Sequence, residues 1–399
     1  MIKQKAFTLI ELLIVIGIIA ILASAIIVAI NPGRQFSSAR NSTRESHANT
    51  LSKAVLSYQV SNQGNLPSGI ITLMKEICNT NVPANPCTNM VDLSSLAPDY
   101  VTSLPLDPKR TSTSLGTGYW IAVSHDNTRV AVIQGLKEIH CPDNWIGVPG
   151  NPLYGTKDFC VMKYQAKCQE SATGVCGNPG TYLPVSQAAH TPWISIDWTN
   201  AKNRCQAVDA SLITNAQWMT MARNIEAQPT NWSTNTVGSG HLYRGHTDNV
   251  PANALAASTN DNDGYYLTGN TSPSEQRRTL ILSNNETLWD FSGNVWQWVD
   301  EITATFAEQP NTSPPASETW LQFNALTTYG KYKYDQIAPS NTSWFSDHGV
   351  GRYYPRNLTN RVWRRGGNWS SGSNAGVFTL DLSASATGTD TAFGFRCAR

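Results

Sequence analysis

The segment that most constrains this chain is Phe7-Thr-Leu-Ile-Glu-Leu-Leu-Ile-Val-Ile16, which continues apolar as far as Ile30. Residues 7–30 hold a single charge, Glu11. At 1.5 Å per residue the run spans about 36 Å as a helix, long enough for the apolar layer of a bilayer. A chain built this way needs a lipid or protein partner along a whole helix. The lone carboxylate is expensive in lipid and calls for an opposite charge. An ordinary secretory signal has a shorter apolar core with a small residue after it. Here the small residue, Ala6, comes before the core and follows a short basic stretch with Lys3 and Lys5. Asn31-Pro32-Gly33 predicts a kink or break. Helical spacing then resumes through Phe36, Ala39, Ala48, Leu51, Ala54, Val55 and Tyr58, with Arg34, Arg40, Arg44, Glu45 and Lys53 on the other face. Asn65-Leu66-Pro67 ends it.

The FTLIELL segment, with its glutamate five residues into it, resembles the N-terminus of type IV pilins and type II secretion pseudopilins. The resemblance implies a leader at 1–6 and cleavage between Ala6 and Phe7 by a prepilin peptidase, which methylates the new amine. It implies a transmembrane and stem helix at 7–65, with Glu11 paired to the amine of a neighbouring pilin subunit. The protein would start anchored in the inner membrane and end outside the cell in a pilus or pseudopilus. The family usually has glycine before the cut, so Ala6 bears on how fast the cut is made.

A chain of 399 residues exceeds what one core usually serves, so two or three domains are expected. Net charge is +1 without a long basic run, which gives no support to nucleic acid as a partner. Of the 13 Trp residues only Trp120 precedes residue 140, so the texture changes there. Residues 66–139 read as a small head: a loop or short helix over Leu73–Asn89, then a hairpin of 118–124 and 128–134 turning at His125-Asp-Asn127. His125 is expected at the turn tip and not in catalysis.

The eight cysteines include no C-x-x-C pair, which weakens zinc and thioredoxin-type readings. An even count behind an export signal suggests disulfides. Local spacing favours Cys78–Cys87, Cys141–Cys160 and Cys168–Cys176, leaving Cys205–Cys397 as a long-range staple. Buried free thiols remain the alternative.

Residues 140–399 are loop-rich. Helices are expected over Trp198–Ala207 and, with Thr214 as N-cap, over Asn215–Asn224. Strands are expected over Arg361–Arg364 and Ala392–Cys397. In order, Leu212-Ile-Thr-Asn-Ala-Gln-Trp-Met219, Asn231-Trp-Ser233, Leu288-Trp-Asp-Phe-Ser-Gly-Asn-Val-Trp-Gln-Trp298, Arg364-Arg-Gly-Gly-Asn-Trp369 and Gly394-Phe-Arg-Cys397 resemble the formylglycine-generating-enzyme type of C-type-lectin fold, the sulfatase-modifying-factor family. The expected fold class is therefore α+β: a long pilin helix, a small β head, and a loop-rich C-type-lectin-like domain. The resemblance also places the first helix of that domain beside its last strand, in keeping with Cys205–Cys397.

The copper-dependent oxidases of that family need two cysteines after the GGxW motif, since thiolates bind Cu(I). The matching positions here are Ser371 and Gly376, so the expectation is no enzyme and no catalytic residues. His190, His241, His246 and His348 stand apart and are taken as surface or packing residues. No cofactor is required, although the resemblance implies a structural calcium on Asp290, the Gly293 and Val295 carbonyls and Gln297. The last ligand is often Glu, and losing its charge weakens a hard-cation site. Asp261-Asn-Asp-Gly264 is a second oxygen-rich loop, without the distal Glu of an EF-hand.

The closing stretch, 365–399, resembles a narrower group: the variable proteins of diversity-generating retroelements, which end in RGGxW…GFRCA and bind ligands through rewritten residues. From Gly366 to Phe395 only Asp381 and Asp390 are charged. The candidate ligand-binding residues are Asn368, Ser370, Ser371, Ser373, Asn374, Val377, Thr379, Asp381, Ser385, Thr387, Thr389, Asp390 and Thr391. Strand alternation places Phe378, Leu380 and Leu382 on a packed face and Val377, Thr379 and Asp381 on a free one. Trp344, Tyr353 and Tyr354 are expected to assist from a neighbouring loop. The implied function is a pilin-anchored, adhesin-like protein for an extracellular protein or glycan ligand. The alternatives are a structural minor pseudopilin and a divergent oxidase.

Overall fold

The computed structural model describes residues 8–30, 32–169, 171, 173–174, 176, 182–310 and 318–399, with backbone only for 25–30. Ala6 and Phe7 lie outside the described residues. Helix α1 (Leu9–Ile30) opens with Glu11 accepting from the Thr8 amide and hydroxyl, at 2.9 and 2.7 Å. Its apolar side chains Leu9 to Leu22 are exposed. Among the described residues no helix is long and apolar enough to cross a membrane.

Helix α2 (Pro32–Ser61) buries Ala48, Leu51, Ala54 and Val55; Asn31, where a kink or break is expected, lies outside the described residues. They pack on a sheet of β1 (Lys75–Cys78), β2 (Gly116–Val123) and β3 (Val130–Ile133), together with Tyr119, Ile121 and Val132. The hairpin is as expected, with His125 at its turn, where its amide donates to Asp335 at 2.7 Å. Lys75–Cys78 is a strand and not the loop or short helix that was anticipated. Its extended backbone pairs with β2, a partner 40 residues away that local pattern could not reveal. On the polar side of α2, buried Arg44 grips Asp107 at 2.6 and 3.1 Å, while Arg40 forks onto Glu138.

After the head come β4 (Trp145–Val148), β5 (Phe159–Met162), β6 (Lys167–Cys168), β7 (Pro184–Val185), α3 (Trp198–Gln206), β8 (Ser211–Leu212) and α4 (Asn215–Glu226). Helix α4 starts with the expected cap as a full capping box: Thr214 accepts from the Gln217 amide and Gln217 answers. The remaining strands are β9 (Thr279–Ile281), β10 (Thr287–Trp289), β11 (Trp296–Thr303), β12 (Tyr353–Tyr354), β13 (Arg361–Arg365), β14 (Leu380–Asp381), β15 (Phe393–Gly394) and β16 (Cys397–Ala398). A five-stranded sheet runs β12-β14-β13-β11-β15, and a four-stranded sheet runs β4-β5-β16-β8.

The chain end therefore does not form one strand. β15 pairs with β11 in one sheet and β16 with β8 and β5 in another, joined through fully buried Phe395 and Arg396. The main core lies between α4 and the five-stranded sheet, around Trp218, Trp232, Trp363, Phe378 and Leu380. All eight cysteines are bonded in the expected pairs: Cys78–Cys87, Cys141–Cys160, Cys168–Cys176 and Cys205–Cys397.

Candidate functional site

The Arg364-Arg365-Gly366-Gly367 segment sets the frame. Arg365 is fully buried, donates to Asn215 Oδ1 at 2.7 and 3.0 Å and to the Phe378 carbonyl at 3.0 Å. Burial pushes its guanidinium down to about 9. Arg364 pairs with Asp381 at 2.8 Å and lies over the Phe393 ring, 3.9 Å from its centroid. Trp218 stacks on Phe291 and donates its indole N–H to the Val377 carbonyl at 2.9 Å. These contacts fix both ends of the closing stretch to α4 and the central sheet.

On that frame the candidate residues divide. Ser370, Ser373, Thr387, Thr389, Asp390 and Thr391 are exposed; Asn368, Ser371, Asn374 and Ser385 are half-buried. Asn368 Oδ1 gathers the Ser370 amide at 3.2 Å and the Ser371 hydroxyl at 2.5 Å, shaping the first loop. Asp390 Oδ1 holds the Ala392 amide at 2.8 Å and turns the second loop back into β15.

Val377, Thr379 and Asp381 are buried and are not surface residues, which corrects the expected free face. Every residue from Val377 to Leu382 is buried, and only Leu380–Asp381 is strand, paired along its two edges with β12 and β13. Thr379 donates to the Asn374 carbonyl at 2.6 Å, and Arg364 closes over Asp381. Trp344 and Tyr353 are likewise buried, Trp344 against Trp232, so they offer no contact surface. Tyr354 is half-buried, its hydroxyl on the Glu318 carbonyl.

A cavity of about 440 Å³ opens beside the exposed loops, lined by Thr173, Thr191, Ile194, Ala252, Asn253, Ala254, Trp369 and Thr391. Sequence reasoning had Thr391 and the frame residue Trp369 but missed the other walls. They come from three stretches far from the chain end, at 173, 191–194 and 252–254, and no local signal marks them.

Ser371 is half-buried with its hydroxyl engaged on Asn368, and Gly376 is buried without room for a side chain. A Cβ at Gly376 would sit 2.4 Å from the Gly351 amide nitrogen. Among the described residues no group of three His, Cys, Asp or Glu converges as metal ligands. His246 is buried and hydrogen-bonds the Pro251 carbonyl at 2.9 Å, while His348 packs on Phe345.

The turn from Asp290 to Gln297 is drawn into one buried cluster. Arg278 meets both Asp290 carboxylate oxygens at 2.7 and 2.8 Å. Gln165 Nε2 donates to the Gly293 and Val295 carbonyls at 3.3 and 3.0 Å. Gln297 Oε1 accepts from Arg396 Nε at 3.0 Å, and its Nε2 donates to the Asp290 and Phe291 carbonyls. Burial pushes Arg396 down to about 9 and the nearby Lys167 amine down to about 7, while Asp290 draws both back up.

A sequence model of the sulfatase-modifying factor enzyme 1-like domain matches residues 154–399. The chain belongs to that family. A model of the prokaryotic N-terminal methylation motif matches residues 1–27, marking the chain for the processing and subunit association of pilins. No curated protein matches the chain. Similar solved structures include PvdO from Pseudomonas aeruginosa, 19% identical, covering 61% of this chain and 80% of that one, with a TM-score of 0.29. The Major Tropism Determinant M1 variant is 13% identical, covering 74% and 67%, at a TM-score of 0.31. Treponema denticola variable protein 1 is 12% identical, covering 70% and 98%, at 0.29. In this sulfatase-modifying factor-like domain, the two closing loops form an exposed, weakly charged rim.

Proposed function

We propose that the protein is a pilin-anchored surface binder whose sulfatase-modifying factor-like domain presents a ligand site, and that this domain is not an oxidase. The observation that carries this reading is the closing stretch: exposed small polar residues Ser370, Ser373, Thr387, Thr389, Asp390 and Thr391 on a fully buried frame. A rigid scaffold with adaptable side chains is the general form of a binding surface. The cavity between Trp369 and Thr391 gives that surface a concave, partly apolar floor. The exposed apolar face of α1 supports membrane anchoring and then packing against other pilin subunits, with Glu11 meeting a neighbour's terminal amine. Every cysteine is in a disulfide, which supports a domain without the thiolates that copper oxidases use. Rewriting of the rim by a diversity-generating retroelement belongs to the same proposal. Aligned genes from several isolates test it, and variation spread evenly over 140–399 would remove it.

The direct test is a rim variant, Ser373→Arg, Thr387→Arg and Thr389→Arg together, expressed in cells that assemble the fibre. Exposed positions of this kind shift stability by about 0.5 kcal/mol or less each, so folding is retained. Retention of the cells on immobilised glycans and proteins is measured beside the native protein. The expected result is a tenfold or greater loss on whichever surface the native protein holds, with unchanged assembly. Unchanged retention would favour the structural pseudopilin reading.

A further inference from the structure

The calcium implied for the turn at Asp290, Gly293, Val295 and Gln297 can be compared with the donors found there. A calcium site gathers six to eight oxygens, usually with several carboxylates, and leaves their lone pairs free for the ion. Asp290 supplies the one carboxylate of this turn, and both of its oxygens face the Arg278 guanidinium at 2.7 and 2.8 Å. The two carbonyls that would complete the shell converge on one nitrogen, Gln165 Nε2, at 3.3 and 3.0 Å. The remaining side-chain oxygen, Gln297 Oε1, faces Arg396 Nε at 3.0 Å. A second Arg396 nitrogen reaches the Trp289 and Asp290 carbonyls at 2.6 and 3.3 Å. Arg278, Arg396, Asp290 and Gln297 are buried, as is Gln165. A divalent ion would therefore enter beside two guanidinium groups with one carboxylate to offset four positive charges. Unpaired buried charge is strongly unfavourable, so these residues do not fit the ion.

We propose that this domain has substituted its own nitrogen donors for the cation: Gln165 Nε2 holds the turn carbonyls, and Arg278 and Arg396 neutralise and lock Asp290 and Gln297. The turn carries Phe291, Trp296 and Trp298 into the core, so the substitution makes the folded domain independent of calcium. Glutamine at position 297 belongs to the same exchange. A glutamate could not donate an N–H to the Asp290 and Phe291 carbonyls as Gln297 does. The inference is independent of any ligand at the rim.

The test uses the purified full-length protein in detergent. Thermal unfolding is followed after exhaustive treatment with EDTA and again in millimolar calcium. The expected midpoints agree to within about 1 °C, because a ligand that does not bind the native state cannot shift it. Retained calcium, measured by elemental analysis, is expected to be far below one ion per chain. A calcium-dependent rise of several degrees, or one retained ion per chain, would overturn the proposal. The variants Gln165→Ala and Arg278→Ala are each expected to lower the midpoint equally in EDTA and in calcium. Recovery of either one by calcium would show that the ion takes the vacated place and would also count against it. If a variant does not fold, the native protein with and without chelator still decides.

Discussion

At the residue scale, Gly376 is a position without room for a side chain. The position is packed against one stretch of backbone: the Gly351 amide nitrogen, the Val350 carbonyl carbon and the Gly349 carbonyl oxygen all lie within 2.5 Å of where a Cβ would be. No flexible side chain is there to give way. Gly376→Ala is therefore expected to destabilise the domain by about 2 kcal/mol or more, read from the denaturant midpoint. A neutral result would mean that the loop 372–376 moves freely. The same residue shows how far composition reaches. Sequence alone says that position 376 is glycine; the packing says that any side chain there would meet backbone.

Among the elements, α2 is held to the head by charge as well as by its apolar face. Glu138 accepts from Arg40 and Arg44 and lies near Lys109. The Arg40 hydrogen bond is the main cause that holds its carboxyl at about 2, below an ordinary value of 4.5. A carboxyl lowered on folding contributes stability that is complete above pH 4.5 and is lost as pH falls towards 2. The native protein should therefore lose part of its thermal stability across that window. Glu138→Gln should start lower at neutral pH and change less on acidification. Identical slopes for the two proteins would show that the cluster is a solvated surface feature.

For the whole molecule, Cys205–Cys397 closes a sequence separation of 192 residues, whereas Cys78–Cys87 closes 9. In the chain-entropy account a long loop gains more from closure than a short one. Replacing Cys205 and Cys397 by serine is expected to cost about 5 kcal/mol, roughly 3 kcal/mol more than replacing Cys78 and Cys87. Denaturant midpoints of the two double variants give the comparison, and equal losses would mean that local packing governs both. The staple also ties α3 to the strand that follows the rim, so its removal is expected to loosen the closing stretch first.

What could be read along the chain was local. The Thr214 cap and the short-range cysteine pairs depend on neighbours within a few turns, and they stand as the sequence indicated. The family was legible because its motifs are contiguous. Burial was not, because it depends on partners far away in sequence. Val377, Thr379 and Asp381 alternate in sequence as a half-exposed strand should, yet all three are buried, Thr379 on the Asn374 carbonyl and Asp381 under Arg364. Likewise Asp290 looks like a cation ligand until Arg278, Gln165 and Arg396 converge on its turn from positions as far as 130 residues away. Sequence by itself determined the apolar handle and the kind of domain, and it favoured the disulfide pairs that the structure holds. Only the tertiary structure decided which small polar residues face solvent and which charges meet in the core, because both follow from what is packed across from each residue.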